Sequence, residues 1–402
     1  MTTRLLYHAF GIRGYRYRTA RQEKGITTLV IEAPRLACAA CGSANVIRSG
    51  GHTRRWHHVP IGFRPTFIEM HVPRLECHEC GVTRQLAVTF AEPRKQHTKT
   101  FARLAIDLAQ HMTIHDTARF LRVGWDMIKE ILKVHLQRRF ADPLRKRVPR
   151  RIAIDEIAVH KGHRYLTIVL DLETGAVVFV GTGKAADALQ PFFDRLGQKR
   201  RRIRAVAMDL SQAYQNAVRA NLPQAIIVFD RFHIVKLLNE KLSDLRRDLQ
   251  REAVGQAKKA LKGVRWLLLK RPGNLDARRN ERHRLQAALR LNAPLSIAYY
   301  LKEDLDRFWR QSGKAAAELF LDEWVRDATA TGIRVLQVFA RTLQIHRRGL
   351  LDWYDEPIST GPLEGINHKI KNLKRQAYGY RDLAFFRLRI FALHEARYAL
   401  VG

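Results

Sequence analysis

The sequence has few acidic residues for its length. It contains 38 Asp and Glu against 72 Lys and Arg in 402 residues, a formal net charge of +34. Such an excess is tolerated when a polyanion is the partner, and nucleic acid is the commonest polyanion. The alternative is a charge that only keeps the protein soluble. Because 46% of the residues are hydrophobic, a disordered basic tail is excluded.

Long apolar runs are also missing. No stretch of about 18 apolar residues occurs, so no membrane-spanning helix is predicted. The N-terminal 17 residues mix arginines with aromatics and do not resemble a signal peptide. We therefore expect a cytoplasmic protein with no membrane partner.

Cysteines are rare, and all four occur in two Cys-x-x-Cys pairs, each followed by glycine: Cys38 and Cys41, and Cys77 and Cys80. Two such turns can direct four thiolates at one ion, which predicts a closed, structural zinc site. A redox dithiol is the alternative. A histidine could also replace one ligand, the candidates being His52, His57, His58, His71 and His78. Arg54 and Arg55, between the pairs, are predicted to contact DNA phosphates.

Three helical patterns follow the cysteine region. A helix that includes residues 101–109 precedes a short helix at 114–121 and, after a turn with Gly124, a third helix at 125–140. This order is typical of a helix-turn-helix, whose last helix enters the major groove. Trp125, Lys129 and Lys133 are therefore predicted to bind DNA.

From residue 152 strand and helix patterns alternate. Three hairpin strands and two β-α units predict the ribonuclease-H-like strand order 3-2-1-4-5 if the crossovers are right-handed. The strands that end in Asp155 and Asp209 are then neighbours, about 5 Å apart. Two carboxylates this close repel each other, and Mg²⁺ or Mn²⁺ relieves the repulsion and supports two-metal phosphoryl transfer.

A helix predicted over 361–375 supplies a third acid, Glu364. His368, Lys371 and Arg375 share its helical face, at offsets of 4, 7 and 11 residues. We predict that Lys371, Lys374 and Arg375 bind DNA and that His368 is a secondary site residue.

Three other residues compete for a place in this site. Glu156 should point to the opposite sheet face from Asp155 by strand alternation. Asp230 is either a secondary site residue or the cap of the helix that begins at Arg231. His233 is either structural or faces a phosphate.

As a set, these motifs resemble the bacterial insertion-sequence transposases of the ISL-three group. The resemblance rests on the two cysteine pairs, Gly124-Trp125-Asp126, Ile154-Asp155-Glu156 with Lys161-Gly162, Asp209 with Tyr214, Asp230-Arg231-Phe232-His233, Glu364-Gly365-Ile366-Asn367, Lys374-Arg375 and Tyr378-Gly379. It implies a DDE enzyme in which Asp155, Asp209 and Glu364 are catalytic and hold Mg²⁺ or Mn²⁺.

A multidomain α/β chain is therefore predicted. Its expected parts are a zinc-ribbon DNA-binding domain (1–97), a helix-turn-helix (98–142), a basic linker (143–151), the first part of a ribonuclease-H-like core (152–234), a large helical insertion (235–355) and the C-terminal core helices with the third acid (356–402). The tryptophans of the insertion are expected in its core.

The predicted function is a DDE transposase that binds the terminal inverted repeats of an insertion sequence and catalyses metal-dependent strand cleavage and strand transfer. Its expected partners are terminal-repeat and target double-stranded DNA, bound by a homodimer or higher oligomer. The alternative is a zinc-dependent, sequence-specific DNA-binding regulator with a non-catalytic ribonuclease-H-like scaffold. A nuclease of this fold that cuts without joining is a second rival.

Overall fold

The computed structural model describes residues 3–33, 35–160 and 164–394. The turn predicted at Lys161-Gly162-His163 therefore lies outside the described residues. Two compact units are present, one comprising 3–141 with 376–388 and the other 142–375 with 389–394. No helix within these residues has the length and hydropathy to cross a bilayer.

The first unit combines a five-stranded sheet with helices. Four strands lie side by side in the order β1-β2-β4-β3, and β5 also pairs with β4. Its elements are α1 (Thr3–Phe10), β1 (Arg16–Glu23), β2 (Ile26–Glu32), β3 (Val46–Ile61), β4 (Arg64–Cys77), β5 (Thr83–Gln85), α2 (Lys99–Leu108), α3 (Ile114–Leu121) and α4 (Trp125–Phe140).

Strand alternation and helix caps explain these elements. Along β4, Ile68, Met70 and Val72 are buried while the residues between them are not, so one face forms a core with Trp56. The side chain of Thr98 caps α2 by accepting a hydrogen bond from the Phe101 amide. The three helices occupy the region where the helix-turn-helix is predicted.

The second unit is built on another five-stranded sheet, in the order β10-β9-β6-β7-β8. β6, β9 and β10 are parallel, whereas β7 pairs antiparallel with β6 and β8 pairs antiparallel with β7. Its strands and their helices are α5 (Pro143–Lys146), β6 (Arg151–His160), β7 (Arg164–Asp171), β8 (Val177–Thr182), α6 (Gln190–Leu196), β9 (Ala205–Met208), α7 (Gln212–Asn221) and β10 (Ile226–Phe229).

A long helical segment follows β10 and leads to the helix that carries Glu364. It comprises α8 (Arg231–Glu252), α9 (Gly255–Leu261), α10 (Arg265–Leu269), α11 (Glu281–Arg290), α12 (Ala293–Leu305), α13 (Lys314–Ala330), α14 (Arg334–Ile345) and α15 (Arg347–Leu351). The helix that carries Glu364 is α16 (Gly361–Gln376), and α17 (Leu383–Phe391) follows it. Short 3-10 helices lie at Ala186–Leu189, Gly197–Arg202, Pro272–Asn274, Ala277–Arg279, Asp306–Arg310, Asp352–Tyr354 and Ala392–His394.

Two local expectations are wrong. The basic linker is not devoid of packed structure, because Asp142 caps the short helix α5 and Leu144 is buried in the core. Proline at the first helical turn suits this helix, so two prolines did not exclude it. In the helical segment Trp309 and Trp324 are buried as expected, but Trp266 is 65% exposed, and Arg265 lies over its ring.

Packing at Gly349 gives a test of the second unit. A Cβ atom there would lie 2.4 Å from Cε2 of Phe229 on β10, whereas nothing lies within 4 Å of a Cβ atom at Gly365. Gly349→Ala should therefore cost roughly 1–3 kcal/mol through overpacking. The matched change Gly365→Ala should stabilise its helix by about 1 kcal/mol. Thermal unfolding followed by circular dichroism measures both, and an unchanged melting temperature for Gly349→Ala would contradict this packing.

Candidate functional site

Three aspartates lie on or directly after neighbouring parallel strands of the second unit. Asp209 and Asp230 follow β9 and β10, but Asp155 lies within β6, which continues to His160 and does not end at Asp155 as predicted. Ala153 of β6 pairs with Ala207 of β9, and Met208 pairs with Phe229 of β10. When this register is continued past the last paired residues, Asp155, Asp209 and Asp230 lie side by side at the same level of the sheet. Neighbouring strands are about 4.8 Å apart, so the row concentrates negative charge.

Asp155 is held by one hydrogen bond to each carboxylate oxygen. Its Oδ1 accepts from the Glu156 amide at 2.8 Å, and its Oδ2 accepts from Nδ2 of Asn367 at 2.8 Å. Burial raises the pKa of Asp155, and the charge of Asp209 raises it further, against the opposing effects of the Glu156 amide and His233. Each oxygen keeps a lone pair free, so the group remains able to bind a cation.

Glu156 contacts a different part of the unit. Its cross-strand neighbour is Thr167, whose hydroxyl lies 2.8 Å from that of Tyr214 on α7, whereas Asp155 bonds to α16. Burial raises the pKa of Glu156, and the charges of Asp209 and Asp155 add to this effect. Glu156 therefore lies within the electrostatic range of the aspartate row.

The side chain of Glu364 does not join the row of aspartates. Its side chain is 48% exposed, and its Oε1 lies 3.8 Å from Nε2 of His368, itself 68% exposed. Among the residues that the structure describes, four cysteines form the only group of three or more His, Cys, Asp or Glu side chains placed to hold one metal ion. The structure thus brings α16 to Asp155 through Asn367, one turn after Glu364.

Asn367 is a site residue that the sequence reasoning missed. Its side chain is 93% buried, and its Oδ1 has no hydrogen-bond partner among the described residues. Leaving a buried acceptor unpaired costs about 1–3 kcal/mol, so an apolar residue would pack here more cheaply. The signal was present in the sequence, because position 367 follows Leu363 by four residues and falls on the buried stripe of the helix.

Asp230 connects the two ends of the helical segment. Its Oδ2 accepts hydrogen bonds from the Phe232 amide and from Nδ1 of His233, and its Oδ1 accepts from the Thr360 amide at 3.1 Å. Burial acts to raise the pKa of Asp230, but the bonds from His233 and Thr360 outweigh burial and lower it. Asp230 therefore both caps α8 and fixes the chain where it enters α16.

His233 lies 3.3 Å from Asp230 through its Nδ1 and is within electrostatic range of Asp155 and Asp209. Burial acts to lower its pKa, but the bond to Asp230 and the charges of Asp155 and Asp209 raise it overall.

The predicted DNA-binding residues on α16 are more exposed than these site residues. Lys371 and Arg375 are exposed, and Lys374 is half-buried.

In the first unit the four cysteines converge. Sγ of Cys38 lies 3.6 Å from that of Cys80, the Cys41 and Cys77 sulfurs are also 3.6 Å apart, and all four lie within 4.8 Å of one another. A zinc–sulfur distance of about 2.3 Å gives tetrahedral sulfur separations of about 3.8 Å, so the set fits zinc. The Cys41 and Ala40 amides lower the pKa of Cys38 to about 6, which favours the thiolate at this position. The Val82 amide acts to lower the pKa of Cys80, but burial and the neighbouring thiols raise it overall.

The other residues predicted on the ribbon are engaged by the ribbon itself. Arg54 donates to the Lys95 carbonyl at 3.1 Å, and the Arg55 guanidinium lies 3.8 Å from the Phe67 ring centroid. The metal group contains no histidine, and His58 is buried with its Nδ1 2.9 Å from the Thr98 hydroxyl.

The lysines predicted to meet DNA on α4 have an acidic partner. Nζ of Lys129 and Nζ of Lys133 lie 3.2 and 3.0 Å from Oδ2 of Asp382, in the segment before α17. The Phe385 amide and then the two lysines lower the pKa of Asp382 to about 2. Trp125 is 44% exposed, with Lys129 5.2 Å from its ring centroid.

Comparison with known proteins identifies the family. A DDE-domain model of the ISL3 group, described as "Transposase", matches residues 152–390, more than half of the chain. The chain belongs to the ISL3 family of insertion-sequence transposases. A zinc-finger model of the transposases of IS204, IS1001, IS1096 and IS1165 matches residues 34–80, and the helix-turn-helix model of the ISL3 family matches residues 86–135.

Curated relatives agree with the family models. The transposase of insertion sequence element IS1001 from Bordetella parapertussis is 34% identical over 364 residues, which cover 89% of this chain and 88% of that protein. The transposase of IS1557 from Mycobacterium tuberculosis is 30% identical over 375 residues, which cover 86% of this chain and 82% of that protein. This ISL3 transposase thus has a zinc ribbon, a DNA-binding helix-turn-helix and a DDE domain, and a non-catalytic regulator is not favoured.

Removal of zinc from this ISL3 transposase should unfold its ribbon, because the binding free energy of a structural zinc is folding free energy. Cys41→Ser should lower the zinc content of the purified protein and its melting temperature. Zinc analysis and circular dichroism provide the measurements. The control is His52→Ala, a substitution at an exposed position of the same unit. Full zinc content and unchanged melting in Cys41→Ser would argue against a four-cysteine site.

Proposed function

We propose that this ISL3 transposase binds the terminal inverted repeats of its insertion sequence and performs DNA strand cleavage and strand transfer with Asp155, Asp209 and Glu364. One observation carries the assignment: the strand register aligns Asp155 with Asp209, and Asn367 on the helix of Glu364 bonds to Asp155. The observed strand order supports a ribonuclease-H-like core with a helical insertion between β10 and α16.

The donor set suits hard divalent cations. Carboxylate oxygens are the ligands that Mg²⁺ and Mn²⁺ prefer. Burial, and then the charge of Asp209, raise the pKa of Asp155, and a bound cation would offset both effects by favouring the ionised form. When bound, two such ions supply an activated water or 3′-hydroxyl for in-line attack on phosphorus and stabilise the leaving oxygen. The same reasoning assigns structural zinc to Cys38, Cys41, Cys77 and Cys80.

The protein's own groups position these ligands. Asp155 is oriented by Asn367 and the Glu156 amide, and Asp209 by a hydrogen bond from the Ser211 amide at 2.9 Å. Since Asn367 and Thr360 already fix α16 on both sides of Glu364, that carboxylate would complete the site by rotating its side chain. His233, oriented by Asp230, would face the substrate phosphates as a secondary residue, while Lys371, Lys374 and Arg375 would hold the strand.

The proposed partners follow from the reaction. An insertion sequence has two ends that must both be cut and joined, and a homodimer or higher oligomer on DNA would supply one catalytic site for each end. We place this activity in the bacterial cytoplasm, on nucleoid DNA.

Replacement of the third acid tests the assignment. With DNA that carries the element's ends and Mg²⁺, Glu364→Gln should reduce cleavage and joining by more than about 100-fold, because loss of a ligand should exceed the 10–100-fold cost of losing an outer-shell partner. Its DNA affinity should stay within about twofold. Glu323→Gln, at an exposed position of α13, is the matched control.

Retention of cleavage by Glu364→Gln would refute the DDE assignment. A substrate with a pre-cut 3′ end separates transposition from simple nuclease activity, since a nuclease that only cuts yields no joined product.

The Asn367–Asp155 bond predicts a metal-binding effect. Asn367→Leu keeps the side-chain volume but removes the donor, so calorimetric Mn²⁺ affinity should fall about 10–100-fold, and higher Mn²⁺ should restore part of the joining activity. Asn372→Leu, on the same helix, is the control. Unchanged Mn²⁺ affinity in Asn367→Leu, with unchanged melting, would show that Asn367 is only a packing residue.

A further inference from the structure

Six basic side chains form an exposed surface at one end of the sheet in the second unit. We call this surface the basic edge; it consists of Arg150, Lys199, Arg200, Arg201, Arg202 and Arg204. Nearby acids are taken by other arginines, since Arg147 pairs with Glu173 and Arg151 pairs with Glu356. None of the six forms an ion pair with any residue that the structure describes. Their charge is therefore uncompensated.

The basic edge is an ordered surface and not a solvated charged loop. Lys199, Arg200, Arg201 and Arg202 belong to a 3-10 helix that ends before the fully buried Ile203. The side-chain amide of Gln224 donates to the carbonyls of Arg200 at 3.0 Å and Ile203 at 3.1 Å. The Arg204 amide donates to the Arg150 carbonyl at 2.7 Å, which joins the two segments. Because the backbone is already fixed, binding costs less conformational entropy.

The strand directions separate this surface from the carboxylates. Arg150 and Arg204 immediately precede the parallel strands β6 and β9, whereas Asp155 and Asp209 lie five residues further along. At about 3.3 Å per residue the two levels are roughly 16 Å apart. This distance corresponds to about five base pairs of duplex, at about 3.4 Å per pair. The basic edge is therefore too remote to neutralise the phosphate that reacts.

We propose that the basic edge binds the phosphate backbone of duplex DNA about five base pairs from the phosphodiester that reacts. The proposal rests on the catalytic assignment of Asp155 and Asp209 for this spacing. Five of the six side chains are arginines, whose planar guanidinium groups bind phosphate oxygens in pairs. Contacts with phosphates carry no sequence information, so this surface contributes affinity and register without selecting a sequence.

The salt dependence of DNA binding tests the contact. The full-length triple variant Arg200→Ala, Arg201→Ala and Arg202→Ala is titrated into an unrelated 30-base-pair duplex between 50 and 300 mM salt. Each lost phosphate contact lowers the slope of log affinity against log salt by about 0.9, so a decrease of about 2 to 3 is expected.

The matched control removes the same charge elsewhere. Lys258, Lys259 and Lys262 are exposed residues at α9, and their replacement by alanine also lowers the net charge by three. The control slope should change by less than about 0.5. Equal slopes for the basic-edge variant and the unmodified protein, or an equal decrease in the control, would overturn the proposal, because neither result needs a local contact.

Two further measurements identify which DNA is bound. If the triple variant binds element-end duplexes more weakly only when they extend five or more base pairs from the cleavage point, the basic edge binds the DNA that flanks that point. If the triple variant binds element ends as tightly as the unmodified protein but joins them less into an unrelated plasmid, the basic edge binds target DNA. Glu364→Gln is measured in parallel: if it remains active the catalytic assignment fails, while its salt slope still reports on the basic edge.

Discussion

Burial of carboxylates on adjacent parallel strands is the constraint on which the second unit depends. The register aligns Asp155, Asp209 and Asp230 in one row, where burial, and then the charge of Asp209, raise the pKa of Asp155. The surrounding chain offsets the cost of burial with donors from outside the sheet: the Ser211 amide, His233 and Asn367. The groups that stabilise the row are thus the same groups that would orient it for catalysis.

This arrangement also explains how a long helical segment can lie between the second and third acids. The segment leaves the sheet at Asp230 and returns at Thr360, and a hydrogen bond joins these two points. Since its two ends meet, the segment can vary in internal structure without displacing α16. Asn367 then fixes the helix a second time, three residues after Glu364. Half-exposure of Glu364 is consistent with a carboxylate whose neighbour His368, 3.8 Å away, is itself 68% exposed and so offsets little of the cost of burial.

The sequence predicted those features that local patterns encode. Two Cys-x-x-Cys-Gly turns, the helical periods of α2 to α4 and the strand end at Asp209 each require only a few neighbouring residues, and the cysteines do converge. The predicted strand end at Asp155 is wrong, because pairing with β7 extends β6 to His160. The missed contacts join distant positions: Asp382 with Lys129 and Lys133, and Asn367 with Asp155, 212 residues apart. Helical and strand periodicities in the sequence do not indicate contacts between residues so far apart. Nor does periodicity distinguish the exposed Trp266 from the buried Trp324, because burial depends on which helices pack together.

The excess positive charge is therefore distributed differently from what the sequence suggested. On α4, two lysines expected at a DNA surface share the carboxylate of Asp382, so part of their charge serves folding. In the predicted linker, Arg147 and Arg151 are paired with acids as well. The basic edge, whose side chains form no ion pair with a described residue, lies at the opposite end of this sheet from the aspartates. Placing cations beside the row would lower its charge and compete with metal, whereas cations about 16 Å away attract a polyanion and leave the carboxylates free.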